Sequence, residues 1–203
     1  MIVLKAKKYF KYQFHNPKKF WEDFGGEKYF NQFDSEEGTR GENIFLEKIE
    51  EFNPNSIIDI GCGYGRYLKA INKVFPNIEL QGVEIAESQI KKAEEYLSEC
   101  NNVSLAVTKN NVLPFDDNMF EMSITYGCFS AVKKGDLPFF YKEIERTTQK
   151  VGVFIEYFPL RNRNNNSSKH YWFTHNYNLL FQKNNYMHKL ISVIQNFYNF
   201  KHI

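Results

Sequence analysis

The sequence is short of the residues from which metal centres and disulfide frameworks are built. Its 203 residues include 3 cysteines and 5 histidines. Cys62, Cys100 and Cys128 stand at no metal-ligand spacing, and their odd number argues against a disulfide framework. His170 and His175 are too isolated to read as a metal site. Net charge is scarce as well. At +2, with 25% charged residues, the chain is too near balance for charge alone to announce a nucleic-acid partner. No apolar run is long enough to span a bilayer. The first residues set Lys5, Lys7 and Lys8 among aromatics and lack the apolar centre of a signal peptide. These absences predict a cytoplasmic, reduced protein with no membrane span. In that compartment the sequons at Asn102 and Asn166 carry no meaning.

Aromatic residues are what the chain has in excess: 17%, with 20 Phe and 13 Tyr. Burial in a bulky core is the ordinary fate of Phe, and an aromatic-lined pocket is the functional alternative. The length suffices for one domain with a sizeable core. Residues 1–40 read as an appendage or lid. Within them Asn16 and Pro17 begin a short helix over Pro17–Phe24, and Gly25-Gly26 ends it. Tyr29, Phe30 and Phe33 are expected to continue the helical pattern. The early lysines, interleaved with Tyr9, Phe10, Tyr12 and Phe14, allow an RNA-binding arm. The simpler reading is an amphipathic segment with its rings on the domain and its lysines in water.

Residues 41–203 read as the main domain. Ile44, Phe45, Ile49 and Phe52 make one helical stripe, which Pro54 stops. Strands are expected over Ile57–Ile60, Ile78–Ile85, Val103–Val107, Met122–Tyr126 and Val151–Glu156. Helices lie between them at 66–75, 88–99 and 136–149, and strands alternating with helices mean a parallel sheet with right-handed crossovers. After an Asn- and Ser-rich loop at 162–169, a helix is predicted over His175–Lys183. Met187–Ile194 and Asn196–Ile203 then read as a terminal hairpin.

The organising stretch is Ile57-Ile58-Asp59-Ile60-Gly61-Cys62-Gly63-Tyr64-Gly65-Arg66. An apolar strand turns through three glycines into a helix, the arrangement that presents backbone N–H groups to a ligand. A dinucleotide fingerprint wants its third glycine at position 66, where Arg66 stands. Glu84 ends the second strand about 20 residues past the turn, where an acid can accept both ribose hydroxyls of an adenosine. Ile85 is placed to pack on the adenine face. Nicotinamide and S-adenosylmethionine sites share this acid.

The acidic strand with Gly-x-Gly-x-Gly, and then Leu113-Pro114-Phe115-Asp116-Asp117-Asn118-Met119-Phe120-Glu121, resemble the class I S-adenosylmethionine-dependent methyltransferases. The second run is similar to a segment of the branch that includes quinone-biosynthesis enzymes. The resemblance covers roughly residues 40 to 203. It implies a Rossmann-like α/β fold of seven strands in the order 3-2-1-4-5-7-6, strand 7 antiparallel, with helices on both faces. It implies S-adenosylmethionine as cofactor and S-adenosylhomocysteine as product. Gly61, Cys62, Gly63 and Gly65 would approach the methionine part through backbone. Asp59 would help hold its amino group and Glu84 the ribose. The family acid that receives the adenine amino group is replaced here by Asn110 or Asn111, with Val112 offering its N–H to the ring. Tyr126 would lie beneath the sulfonium. Cys62 stands where the family often has a small residue, so it is not read as a nucleophile.

Methyl transfer is a direct displacement, and a dedicated base is needed only for a protonated acceptor. Tyr126, Glu156, His170 and His175 are the candidates on the acceptor side, with His170 and His175 flanking an expected lid at Tyr171-Trp172-Phe173. The Asn/Asp-Pro-Pro-Phe/Tyr loop used for exocyclic amines is missing. These readings favour a small-molecule acceptor. The rivals are methylation of RNA or protein guided by the basic N-terminus, a non-catalytic cofactor-fold binding protein, and a nicotinamide oxidoreductase.

Overall fold

The computed structural model describes residues 16–33, 40–109, 111–157, 175 and 190–195. Calls for the termini, Asn110, His170 and the lid at 171–173 lie outside these residues. The elements run α1 (Pro17–Phe24), α2 (Glu27–Phe33), α3 (Arg40–Phe52), β1 (Ser56–Ile60), α4 (Arg66–Val74), β2 (Glu79–Glu84) and α5 (Glu87–Tyr96). They continue with β3 (Val103–Val107), β4 (Phe120–Tyr126), a 3-10 turn (Phe129–Ala131), α6 (Leu137–Thr147), β5 (Thr148–Tyr157) and β6 (Leu190–Gln195).

The described strands form one sheet in the order β3-β2-β1-β4-β5-β6. Each neighbouring pair is parallel. β1 is at the centre because it is apolar on both faces. Ile57 joins a core with Leu68, Ile71 and Ile90 from α4 and α5. Ile58 and Ile60 join a second core with Phe140, Tyr141 and Ile144 of α6. Helices therefore cover both sides, as parallel sheets require.

The first five strands follow the expected order, but the edge does not. The expected order sets an antiparallel strand 7 beside strand 5. Here β6 takes that place and runs parallel, with Gly152 opposite Leu190 and Tyr157 opposite Gln195. The stretch between Tyr157 and Leu190 is longer than the dozen or so residues that a parallel connection requires. The second strand of the predicted hairpin, 196–203, lies outside the described residues. At the N-terminus, α1 and α2 are separate helices. Gly26 at φ +59° turns the chain between them.

Three glycines make the bend after β1, with φ of +77° at Gly61, +57° at Gly63 and +89° at Gly65. A Cβ at Gly65 would collide with Leu97 Cδ1, whereas one at Gly63 would meet nothing nearer than Gln89 Nε2 at 3.7 Å. Gly65 thus serves packing of α4 against the end of α5, whereas at Gly63 an added Cβ would make only ordinary contact with Gln89 and Tyr29. Gly65→Ala should destabilise the fold by roughly 2–4 kcal/mol, the sum of a left-handed backbone and an overpacked contact. Urea unfolding checks this, and a loss below about 1 kcal/mol would show that Leu97 moves aside without strain.

Candidate functional site

The ends of β1, β2 and β4 open into a cavity of about 510 Å³. Gly61, Gly63, Glu84, Ile85, Asn111 and Tyr126, all expected at a cofactor site, line it. Asp59, Cys62, Gly65 and Val112 do not.

The bend does not offer free amides. Gly61 N and Cys62 N both donate to Val83 O, at 2.8 and 3.1 Å, and Gly65 N donates to Cys62 O at 3.0 Å. Gly63 N donates to Glu84 Oε2 at 3.2 Å. The expectation of N–H groups held out to a ligand is therefore corrected. Parallel pairing puts Val83 O under the bend, and the strand's own polar groups are satisfied first. What the bend presents is glycine backbone with no side chain, a surface for close approach rather than an anion cradle. The same holds for Val112, whose N–H is taken by Lys109 O at 3.0 Å.

Glu84 ties the bend to the next helix. Its Oε1 accepts from Ile85 N at 2.7 Å and Ala86 N at 3.2 Å. Burial raises its pKa, and these amide hydrogen bonds together with that of Gly63 oppose the rise. Asp59 is 1% exposed, and among the described residues its Oδ2 finds no hydrogen-bond partner. Burial, then the Glu84 charge, push its pKa up to about 8, against the pull of the Arg66 guanidinium. Arg66 stacks on the Tyr67 ring at 4.7 Å and donates to its hydroxyl at 2.6 Å. Tyr126 packs 4.9 Å from the same ring. Gly41 backs it, since a Cβ there would meet Tyr126 Cε2 at 2.5 Å.

Sequence reasoning named residues 1–40 an appendage or lid but placed none of its side chains at the cavity. Asn16, Pro17, Lys18, Trp21 and Tyr29, from the appendage, line the cavity, with Tyr29 against Tyr64 of the bend at 5.8 Å. The hairpin α1–α2 is latched to α5, whose N-cap Ala86 has no capping side chain. Glu22 takes that role from another helix, accepting from Glu87 N at 2.8 Å and Ser88 N at 3.0 Å. Gly26 N donates to Gln89 Oε1 at 3.0 Å, and Lys92 pairs with Glu27 at 2.8 Å. Rings complete the joint: Phe30 meets Tyr64 of the bend edge-on at 5.1 Å. The aromatic excess and the amphipathic pattern of the appendage are the sequence signals that point there.

The run Leu113–Asn118 is held from behind rather than exposed to the cavity. Arg146 donates to Leu113 O, Phe115 O and Asp117 Oδ1 at 3.0, 2.7 and 2.9 Å. Glu156 and His175, expected as acid or base, are buried and do not line the cavity. The thiols of Cys62 and Cys128 have pKa values pushed well up by burial, which makes them poor nucleophiles. Among the described residues no cluster of three or more His, Cys, Asp or Glu could hold a metal ion. No described helix is long and apolar enough to cross a membrane.

Comparison with known proteins points to methyltransferases. A family model described as a methyltransferase domain matches residues 57–152. A demethylmenaquinone methyltransferase of Staphylococcus carnosus is 30% identical over 111 residues, 54% of this chain and 45% of that protein. A trans-aconitate 2-methyltransferase of Yersinia pseudotuberculosis is 30% identical over 74 residues, 36% of this chain and 28% of that protein. The chain thus spans less than half the length of either relative. Among solved structures, phosphoethanolamine N-methyltransferase 1 of Haemonchus contortus, bound to phosphoethanolamine and S-adenosylhomocysteine, superposes with a TM-score of 0.55 at 17% identity. That match covers 67% of this chain and 30% of the other, and shows a shared fold.

Proposed function

We propose that this chain, whose residues 57–152 match a methyltransferase-domain family model, binds S-adenosylmethionine in the 510 Å³ cavity and moves its methyl group to a small-molecule oxygen, nitrogen or carbon. The observation that carries the reading is the pairing of a buried Glu84 carboxylate with a glycine bend whose amides are already spent. A pyrophosphate needs donors, and this bend has few left to give. A ribose needs an acceptor, and Glu84 is one. The nicotinamide rival is disfavoured on that ground.

The residues present fit the cofactor. Gly63 leaves room beside the bend. Glu84 would take the ribose hydroxyls, Ile85 an adenine face, and Asn111 its edge. Asp59, buried behind the bend with an oxygen lacking a partner among the described residues, would act on the amino-acid end through water rather than by direct contact. When bound, the cofactor supplies an electrophilic methyl on a sulfonium and leaves as S-adenosylhomocysteine. The chain's task is then to orient an acceptor in line with the breaking bond and to exclude water. Tyr126, held between Tyr67 and Gly41, would wall the reacting centre. The appendage would close the cavity through Trp21 and Tyr29. Neither Glu156 nor His175 is assigned as a base, because both are committed to the loop after β4. His170 stays a candidate.

The two relatives named above act on small carboxylated or quinone molecules by their names, which favours a small acceptor over RNA or protein. Of the appendage lysines, Lys18 and Lys19 are engaged with Glu87 and Asp23. The reading includes a cytoplasmic location. Calorimetry with S-adenosylhomocysteine tests the core of it. Binding tighter than about 1 mM, near −4 kcal/mol, is expected. Saturable binding of a nicotinamide dinucleotide with no response to S-adenosylhomocysteine would overturn it.

A further inference from the structure

Two buried ionisable residues outside the cavity grip the loop that forms one of its walls. β4 ends at Tyr126. The chain then turns at Gly127, φ +67°, whose N donates to Ile155 O at 2.8 Å. One 3-10 turn follows, closed by Ala131 N to Cys128 O and Val132 N to Phe129 O, both at 3.0 Å. Cys128, Ser130, Ala131 and Val132 from this loop line the cavity. Cys128 Sγ also packs on the bend, since a Cβ at Gly61 would meet it at 2.8 Å. A shift of the loop would therefore reach the cofactor side of the cavity as well.

A single 3-10 turn has few internal hydrogen bonds to hold it, and its terminal groups need outside partners. At its N-terminal end Glu156 supplies them. Its Oε2 accepts from Phe129 N at 3.0 Å, its Oε1 from Thr125 Oγ1 at 2.7 Å, and the amides of Cys128 and Ser130 point at the same carboxylate. At the other end His175 Nε2 lies 2.9 Å from Phe129 O and 3.1 Å from Val132 O. Two carbonyls can only accept, so Nε2 carries the proton and donates to both. The ring is 3% exposed, and burial favours its neutral form. Lys134 is the charged group whose field acts on it.

We propose that His175 and Glu156 are positioning residues that brace residues 128–132 from opposite ends and so set the wall beside the transferred methyl. The part that names the methyl rests on the proposed function. The brace itself does not, and the two are separable by experiment.

Three proteins decide it: wild type, His175→Leu and His175→Gln. The leucine has comparable bulk and no donor, and the glutamine amide restores an N–H near the position of Nε2. Amide hydrogen exchange over residues 127–132 needs no ligand. It should accelerate about tenfold in His175→Leu, the scale of one net hydrogen bond, and return to within about threefold of wild type in His175→Gln. Calorimetry then compares S-adenosylmethionine with S-adenosylhomocysteine. A displaced wall should change the ratio of the two affinities, because only one ligand carries the methyl, whereas general loosening weakens both alike. Unchanged exchange in His175→Leu, or equal damage in both variants, overturns the brace. An unchanged ratio alongside accelerated exchange overturns the methyl-wall assignment. If the wild type binds neither ligand, the proposed function falls, and the exchange data still decide the brace. Should His175→Leu not fold, Glu156→Gln is measured by the same exchange experiment, and unchanged protection of 127–132 would again overturn the proposal.

Discussion

Glu84→Ala should weaken S-adenosylhomocysteine binding by roughly 1–3 kcal/mol, about 5- to 150-fold, and should also lower the stability of the unliganded protein. Both effects come from one carboxylate. Its oxygens accept Gly63 N, Ile85 N and Ala86 N, so alanine strands three amides at the joint between the bend and α5. Unpaired buried donors cost more than the hydrogen bonds they replace are worth in net terms. The ribose loses its acceptor at the same time. Glu84→Gln separates the two. Its amide oxygen can keep Ile85 N and Ala86 N, while its NH2 faces Gly63 N, donor against donor. Stability should then fall less than in the alanine variant, and affinity should still drop. Urea unfolding and calorimetry at one pH give both numbers. A folded alanine variant that binds as well as wild type would remove Glu84 from the site.

Stability should fall as pH rises from about 5 to 8. Asp59 and Glu156 both have folded pKa values pushed up to about 8, chiefly by burial. In the unfolded chain these groups release their protons near pH 4. Between those limits the native state binds more protons than the unfolded one, so the slope of stability against pH is negative. Each group contributes on the order of 1 kcal/mol per pH unit across that window, an effect fully present below the unfolded pKa and lost through the folded one. Asp59→Asn keeps the shape and cannot ionise. It should be more stable than wild type above pH 8 and show a shallower slope. Ligand binding should report the same proton. A cationic amino group near Asp59 favours the carboxylate, so S-adenosylhomocysteine binding at pH 7 should release up to one proton in wild type and less in Asp59→Asn. Calorimetry in buffers of different ionisation enthalpy measures the release. Melting curves that are flat or rise between pH 5 and 8 would mean that both carboxyls are ionised in the fold, contrary to this account.

Reading the chain alone succeeds where the determinant is local. Ile57, Ile58 and Ile60 put apolar side chains on both faces of β1, which therefore belongs in the middle of a sheet, and it is there. Gly61, Gly63 and Gly65 adopt backbone that side chains disfavour. Asn16-Pro17 starts α1 with Asn16 Oδ1 accepting from Lys19 N at 3.1 Å. Glu84 stands at the strand end facing the bend. It also fails in a consistent way. Glu156 and His175 look like acid–base residues because of their chemical type, yet their partners lie across the loop after β4. Glu22, to which the sequence assigned no role, caps a helix more than sixty residues away. The amides of the bend look available until Val83 O is found beneath them.

Period, turn chemistry and helix stops act over a few residues, so the order of elements, the central strand, the glycine bend and the acid at 84 were determined by the sequence itself. Hydrogen-bond partners distant in the chain, the parallel seat of β6 beside β5, and the wall contributed by Trp21 and Tyr29 were decided only by the tertiary structure. Buried polar groups take whichever donor or acceptor packing brings within 3 Å or so, and no local pattern records which one that will be.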